Sequence, residues 1–181
     1  MIDESSAELI ALLGDGSFRD TQGILQKVLS YGKGPEGSHG RKRPASDGAG
    51  KISEEEVRLV TGAPAIDLVH DVVLAIGSKD VKLGLETVKK VARENIDMMV
   101  FLKLILHTTR AVMLVRFNAG DIVKEDLSLN EFAFVADLGK KFPETFSSQT
   151  LLELLTAYEN TRGAYIPSLP LELALVNITQ K

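Results

Sequence analysis

The stretch SFRDTQGILQKVLSYG, residues 17–32, carries a complete set of helix signals. Ser17 is a favoured N-cap residue, and Asp20 follows three positions later, where an acidic side chain suits the first helical turn. The apolar residues after it recur at spacings of three and four, which is typical of one buried helix face: Ile24, Leu25, Val28 and Leu29. Gly32 then ends the pattern. The stretch therefore predicts a capped helix with a buried stripe.

The same start signal, a serine followed three residues later by an acidic residue, occurs at three more places in the chain. It opens SSAELIALLG (5–14), SEEEVRLVTG (53–62) and SLNEFAFVADLGKKF (128–142). Apolar periodicity predicts further helices near 65–76, 79–95, 97–118, 148–162 and 168–178. Runs that alternate with the two-residue period of a strand are scarce. The sequence therefore predicts an all-α protein.

Composition excludes several classes of function. The chain has 181 residues, 44% of them apolar, and a net charge of -4 with both signs well mixed. This balance favours a soluble protein and gives no general attraction to nucleic acid or anionic membranes. The chain has no cysteine, which excludes disulfides and thiolate metal sites. Its acidic start, MIDESSAELI, lacks the basic and apolar parts of a signal peptide, so we expect a cytoplasmic protein.

One segment is long enough to cross a bilayer. MMVFLKLILHTTRAVMLVRF, residues 98–117, is interrupted by Lys103, His107 and Arg110 at helical spacings of four and three. Each charge near a bilayer centre would cost roughly 2.5–3.5 kcal/mol. We therefore interpret the segment as a helix that is buried on most of its circumference and has one polar seam, and we expect no membrane contact.

A change in composition divides the chain. KGPEGSHGRKRPASDGAGK, residues 33–51, is rich in glycine, proline and charge, which is typical of a flexible linker or of an exposed loop insertion. We therefore predict an N-terminal helical part, 1–32, and a larger helical part, 52–181. The basic run Arg41–Arg43 could contact phosphate groups of a nucleic acid, but no aromatic residue interleaves to stack on bases, which favours a solvated loop.

Patterns for catalysis and metal binding are missing from the sequence. There is no GxxxxGK[ST] loop that could hold nucleotide phosphates. The histidines His39, His70 and His107 are scattered without metal-ligand spacing, and the acidic run Glu54–Glu56 suits the first turn of a helix. We predict no catalytic and no metal-binding residue.

Arg19 is the one candidate for ligand binding. If Ser17 caps the helix, Arg19 lies in the first turn, beside the positive end of the helix dipole. An arginine there can point outwards at an anion presented by another domain. On residue types alone, an ordinary surface arginine remains the alternative.

Three segments together resemble a known family. LIALLGDGSFRDTQGILQKVLSYG (9–32) is similar to the lid segment of the bacterial DNA polymerase III tau/gamma subunit, an AAA+ clamp-loader ATPase. The matching positions are Gly16, Ser17, Arg19, Asp20, Leu25 and Gly32. ISEEEVRLVTG (52–62) and YIPSLPLELALVNI (165–178) resemble later segments of the same family, so the resemblance runs over nearly the whole chain.

The resemblance implies a domain organisation. Residues 1–32 would be the end of the AAA+ lid domain, a short helical remnant joined by the flexible linker 33–51 to a helical bundle, 52–181. In the family this bundle is the collar, the domain that holds the loader subunits together as a ring. The family's ATPase domain would belong to a longer parent protein.

The resemblance also implies a function in DNA replication. Arg19 corresponds to the sensor-2 arginine, which contacts the phosphates of ATP bound by its own subunit. ATP with magnesium would be the cofactor of the parent protein, whereas this chain alone would hold no cofactor and would not hydrolyse ATP. The implied partners are other clamp-loader subunits through the collar, and the sliding clamp and primer–template DNA in the parent complex.

Three alternatives stay open at this point. The first is a replication factor C-type small subunit, which shares a lid and a collar. The second is an all-helical adaptor or scaffold unrelated to nucleotide. The third is a nucleic-acid-binding module that acts through Arg41–Arg43.

Overall fold

The computed structural model describes residues 2, 4–14, 16–31, 52–124 and 127–180 of the chain. Within these ranges the chain is all-α, as predicted, with ten helices and no strand. The helices are α1 Glu4–Gly14, α2 Phe18–Tyr31, α3 Glu54–Thr61, α4 Ile66–Ser78, α5 Val81–Arg93, α6 Met98–Arg116, α7 Asp121–Lys124, α8 Leu129–Lys141, α9 Ser148–Thr161 and α10 Leu169–Gln180.

Two of the predicted capping boxes are confirmed. At the start of α3 the Ser53 hydroxyl accepts the Glu56 backbone N–H at 3.4 Å, and the Glu56 carboxylate accepts the Ser53 N–H at 3.1 Å. Ser128 forms the same reciprocal pair with Glu131 at the start of α8. Gly62 ends α3 in the left-handed conformation, with φ at 70°, which glycine adopts without steric cost. These helix ends are therefore determined by local sequence.

The structure differs from the predicted elements in three places. Helix α1 begins at Glu4, one residue before the predicted cap Ser5, whose side chain lies outside the described part. The four-residue α7 was not predicted, because four residues are too few to show a helical period. Leu29, which the helical spacing places on the buried stripe of α2, is 48% exposed, because the described residues of its unit leave that side of the helix largely uncovered.

The first three helices form one compact unit, Met1–Ala63. Its core consists of Ile10, Val28, Ile52 and Val57, all buried. Ile52 also forms an isolated parallel bridge with Ile2, and its carbonyl accepts the Ser6 hydroxyl at 3.2 Å. The chain immediately before α3 is thus fixed against the N-terminal helices.

The second compact unit is Pro64–Lys181, so the division between the two compact units falls after Ala63. Helix α3, which the predicted domain limits assign to the C-terminal part, packs against α1 and α2. The predicted linker, 33–51, lies outside the described residues. The predicted limits of the lid and collar domains therefore stay a prediction.

Helix α6 is the centre of the C-terminal unit. It packs against α4, α8 and α9, and α10 packs against α9 and α5. The largest side chains buried in this unit come from six different segments: Ile76, Phe101, Leu102, Ile105, Leu138, Phe146, Leu154, Leu171 and Leu175. Burial of apolar groups of this size stabilises by roughly 1.5–3 kcal/mol each, so this core is the main source of stability.

The polar seam of α6 is present. Lys103 and His107 are half-buried and Arg110 is exposed, whereas eight other residues of the helix are buried. By length and composition alone α6 could also cross a membrane. A core helix meets the same criterion, and 44% of this one is buried inside the structure.

Helix α4 comes very close to the segment that joins α8 and α9. A Cβ atom at Gly77 would lie 2.7 Å from Cδ2 of Phe142 and 3.1 Å from Cε2 of Phe146. The Gly77 carbonyl accepts the Thr145 hydroxyl at 3.2 Å. Glycine at this position is what allows the two phenylalanine rings to pack against the helix backbone.

Candidate functional site

Local backbone geometry positions Arg19 at the start of α2. Gly16 turns the chain with φ at 72°. The Ser17 hydroxyl then accepts the Asp20 backbone N–H at 3.2 Å, which confirms the predicted cap. Gly14, at the end of α1, lies so close to α2 that a Cβ atom there would meet the Thr21 hydroxyl. The turn therefore holds Arg19 in the first turn of α2, next to free backbone N–H groups.

The Arg19 side chain is exposed. Among the described residues of its unit, none forms a hydrogen bond or an ion pair with its guanidinium. The neighbouring Phe18 is 82% exposed, which is unusual for a phenylalanine. A permanently charged guanidinium group and an exposed aromatic ring therefore belong to neighbouring residues at the positive end of the helix dipole.

This arrangement suits an anion with several oxygen atoms. A guanidinium can donate two parallel hydrogen bonds to a phosphate or carboxylate. The helix dipole adds attraction for negative charge within the first turn. Arg19 can therefore supply one side of a binding site for such an anion.

No group of three or more His, Asp or Glu side chains within the described ranges could hold a metal ion. In the acidic run, Glu54 pairs with Arg58 one turn later, and Glu56 belongs to the capping box. The interactions of the acidic run therefore lie within α3 and at its start, as expected. His39 and the run Arg41–Arg43 lie outside the described residues, so nucleic-acid contact through that run stays a prediction.

The His70 side chain takes part in the packing of two helices. Its ring stacks on Phe134 with 3.8 Å between centroids and 21° between planes, which joins α4 to α8. Burial lowers the pKa of His70 below the usual 6.5, although the carboxylates of Glu131, Asp67 and Asp71 oppose this shift. The folded protein therefore disfavours the charged form of this imidazole.

We expect this shift to appear as a pH dependence of stability. Because the pKa of His70 is lower in the folded state, the unfolded chain takes up the proton first as the pH falls through 6.5. The free energy of unfolding should therefore decrease from about pH 7.5 to pH 5.5. His70→Phe keeps an aromatic ring against Phe134 and should flatten that part of the profile, measured by urea denaturation at each pH. A profile with unchanged slope in His70→Phe would assign the dependence to other groups.

The C-terminal unit exposes two apolar surfaces that the sequence did not reveal. The first lies along α9 and α10 and surrounds a groove of about 420 Å³, which we call the α9–α10 groove. The exposed apolar side chains that line it are Tyr165, Ile166, Leu169 and Leu173. The second consists of three exposed apolar side chains that follow one another along the chain from the end of α6 to the start of α8. They are Phe117, Ile122 and Leu129, exposed by 63%, 61% and 89%, and we call this set the α6–α8 corner.

Helical periodicity could not have found these surfaces. It distinguishes apolar from polar faces, but it does not show which apolar residues a fold leaves uncovered. Leu169 and Leu173 occupy the same kind of position in the sequence as the buried Leu171 and Leu175. Only the packing of α10 on α9 and α5 separates the two pairs.

Comparison with known protein families assigns most of the chain to one of them. Residues 52–181 match the family described as DNA polymerase III subunits gamma and tau, domain III. No individual curated protein matches the chain at significant similarity. The family match covers the whole C-terminal unit together with α3, and it favours the polymerase III alternative over a replication factor C-type subunit or an unrelated helical adaptor.

Proposed function

The chain belongs to the family of DNA polymerase III gamma and tau subunits, domain III, and we propose that it serves as the assembly part of the clamp loader of that polymerase. Its C-terminal unit joins neighbouring loader subunits. Its N-terminal unit carries an arginine that contacts ATP held by an ATPase domain of the parent protein. The chain by itself is expected to hydrolyse ATP negligibly.

The observation that supports assembly is the amount of exposed apolar surface on the C-terminal unit. Monomeric proteins seldom leave many large apolar side chains uncovered in contiguous patches, and such patches mark interaction sites. The α9–α10 groove and the α6–α8 corner together expose seven such side chains. Other loader subunits are the partners proposed for these surfaces.

The exposure of Arg19 supports the proposed contact with nucleotide. The residue has a helix cap to hold its backbone, yet its guanidinium has no partner within its own unit among the described residues. ATP, with magnesium, would be bound by the ATPase domain, and the described residues fit one contribution to that site, a cation aimed at the phosphates. A ligand shifts a conformational equilibrium only as far as its affinities for the two conformations differ. Arg19 can therefore make the parent protein respond differently to ATP and ADP only if it contacts the two nucleotides differently.

The sliding clamp and primer–template DNA are proposed as partners of the parent complex and not of this chain. Nothing in the described residues forms a basic groove with stacking aromatic side chains, which sequence-tolerant DNA binding would need. A cytoplasmic location follows from the proposed role in replication and is part of the same proposal.

Sedimentation velocity of the chain tests the assembly function. We expect the sedimentation coefficient to rise with protein concentration, because the exposed apolar surfaces become buried between subunits. ATP hydrolysis measured on the same samples should stay at background. A chain that remains monomeric at the highest attainable concentration would contradict the assembly role.

A further inference from the structure

Helices α1 and α2 approach each other very closely at Gly14, the last residue of α1. Gly14 is buried, and its carbonyl accepts the Ser17 backbone N–H at 2.8 Å, which closes the turn between the two helices. A Cβ atom on Gly14 would overlap the Thr21 hydroxyl oxygen, and it would lie 3.0 Å from Cβ and 3.1 Å from Cα of Thr21. Glycine at this position is therefore what lets the first turn of α2 lie against the end of α1.

The Thr21 side chain is held in place on the other side of this contact. Its hydroxyl donates a hydrogen bond to the Ser17 carbonyl at 2.9 Å, and the Thr21 backbone N–H donates to the same carbonyl at 3.0 Å. A threonine in a helix adopts few side-chain rotamers. Thr21 could therefore turn away from an added Cβ atom at Gly14 only by breaking the side-chain bond to Ser17.

Arg19 lies between these contacts along the chain. Ser17 precedes it by two residues and Thr21 follows it by two, and the Ser17 hydroxyl also accepts the Asp20 backbone N–H. Among the described residues of the unit, none binds the Arg19 guanidinium. The reach of the guanidinium is therefore set by the backbone of this turn together with the rotamers of Arg19 itself. A displacement of the turn would move the guanidinium with it.

We propose that Gly14 and Thr21 are positioning residues for Arg19. The proposal rests on the proposed contact between Arg19 and the phosphates of ATP, and it adds that this contact requires the close approach of α1 and α2. A guanidinium donates two parallel hydrogen bonds to phosphate oxygens only when it is correctly placed. A misplacement of about 1 Å in a group that acts on a substrate can lower a rate by roughly 100-fold.

Gly14→Ala in the full-length parent protein tests the proposal. The added methyl group must displace either the Thr21 side chain or the first turn of α2. We expect the ATP concentration for half-maximal clamp loading to rise at least about fivefold, part of the roughly 10- to 100-fold that loss of the whole contact would cost.

Gly23→Ala is the matched control. A Cβ atom at Gly23 of α2 would have no described neighbour within 4 Å. This variant should load clamps like the parent protein. It should not lower the melting temperature of the present chain, because alanine favours a helix more than glycine does.

Two second substitutions show whether Gly14→Ala acts through Thr21 and Arg19. Thr21→Ala removes the oxygen atom that the new methyl group would overlap, so Gly14→Ala combined with Thr21→Ala should recover most of the loading. Recovery should be incomplete, since the two Cβ atoms would still be 3.0 Å apart. Adding Gly14→Ala to Arg19→Ala should have no further effect on loading, because two substitutions that act through one contact are not additive. A general loss of stability would lower loading in both backgrounds.

Circular dichroism and thermal denaturation of the present chain show whether Gly14→Ala folds. If it does not fold, Thr21→Val is the second variant. Valine keeps a branched side chain beside Gly14 and removes only the hydrogen bond to Ser17. We expect a smaller rise in the ATP requirement, of roughly two- to threefold, which should again be absent in the Arg19→Ala background.

The outcomes separate this proposal from the function on which it rests. Normal loading by Arg19→Ala would overturn both. If Arg19→Ala is impaired, the contact with ATP stands, and three results overturn the positioning role alone: normal loading by a folded Gly14→Ala, a loss that Thr21→Ala does not relieve, or an equal loss in the Arg19→Ala background. If Gly14→Ala does not fold, normal loading by Thr21→Val overturns the positioning role.

Discussion

Phe146→Ala is expected to lower the free energy of unfolding of the C-terminal unit by about 3–5 kcal/mol. The ring is completely buried, and it packs against the backbone of α4 at Gly77. Its loss would leave a cavity that α4 could close only by moving towards the segment between α8 and α9. Because domains of this size are stable by only about 5–15 kcal/mol, the change removes a large share of the total.

The effect should exceed that of the lost ring alone. The Phe146 carbonyl accepts a hydrogen bond from the Arg116 guanidinium, and the neighbouring Thr145 hydroxyl donates a hydrogen bond to the Gly77 carbonyl. Both bonds depend on the same short segment, so a backbone shift would weaken them together. Urea denaturation followed by circular dichroism measures the change. Phe18→Ala removes the same ring from a position that is 82% exposed and should change stability by less than about 0.5 kcal/mol. A loss below about 1 kcal/mol in Phe146→Ala would mean that this segment is not part of the core.

Arg19→Ala is expected to reduce ATP-dependent clamp loading by the parent protein at least tenfold. A charge-assisted hydrogen bond contributes about 1.5–3 kcal/mol, which corresponds to a factor of roughly 10 to 100. The same substitution should leave the stability of the N-terminal unit within about 0.5 kcal/mol, because the side chain is exposed and has no partner among the described residues of that unit. Loading rates and ATP affinity of the full-length variant measure the first effect, and thermal denaturation of the present chain measures the second.

Two further variants test whether the loss of loading is specific to position 19, and whether it requires a guanidinium or only a positive charge. Lys27→Ala removes an exposed positive charge from the same helix and should load normally. Arg19→Lys keeps the charge but loses the planar fork, so it should recover part of the activity. Normal loading by Arg19→Ala would remove this residue from the nucleotide site and leave it as an ordinary surface arginine.

The sequence predicted those features that depend on neighbours along the chain. The boxes Ser53–Glu56 and Ser128–Glu131 and the cap at Ser17 need only residues three positions apart, and all three are present. Helix ends in the C-terminal unit fall within about two residues of their predicted positions. The setting of Arg19, in a first turn and exposed, follows from the same local rules.

Features that depend on tertiary contacts could not be predicted. Leu29 has the helical spacing of a core residue, yet the described helices of its unit leave it 48% exposed. The division after Ala63 requires knowing that α3 packs on α1 and α2, which nothing in the composition of α3 shows. The two apolar surfaces of the C-terminal unit arise for the same reason. What Arg19 contacts in the parent protein likewise depends on another domain.

The position of Ile52 has a consequence for the segment 32–51. Tyr31 ends α2, and Ile52 is buried in the core that α2 helps to form, so both ends of this segment enter the same compact unit. Tyr31 and Ile52 therefore belong to one folded unit, and the role of 33–51 as a linker between domains stays a prediction. Doubling the length of a segment whose two ends lie in one folded unit adds only about 0.6 kcal/mol of closure entropy. Natural insertions, or a reporter grafted between these residues, should therefore leave the three-helix unit almost as stable as before.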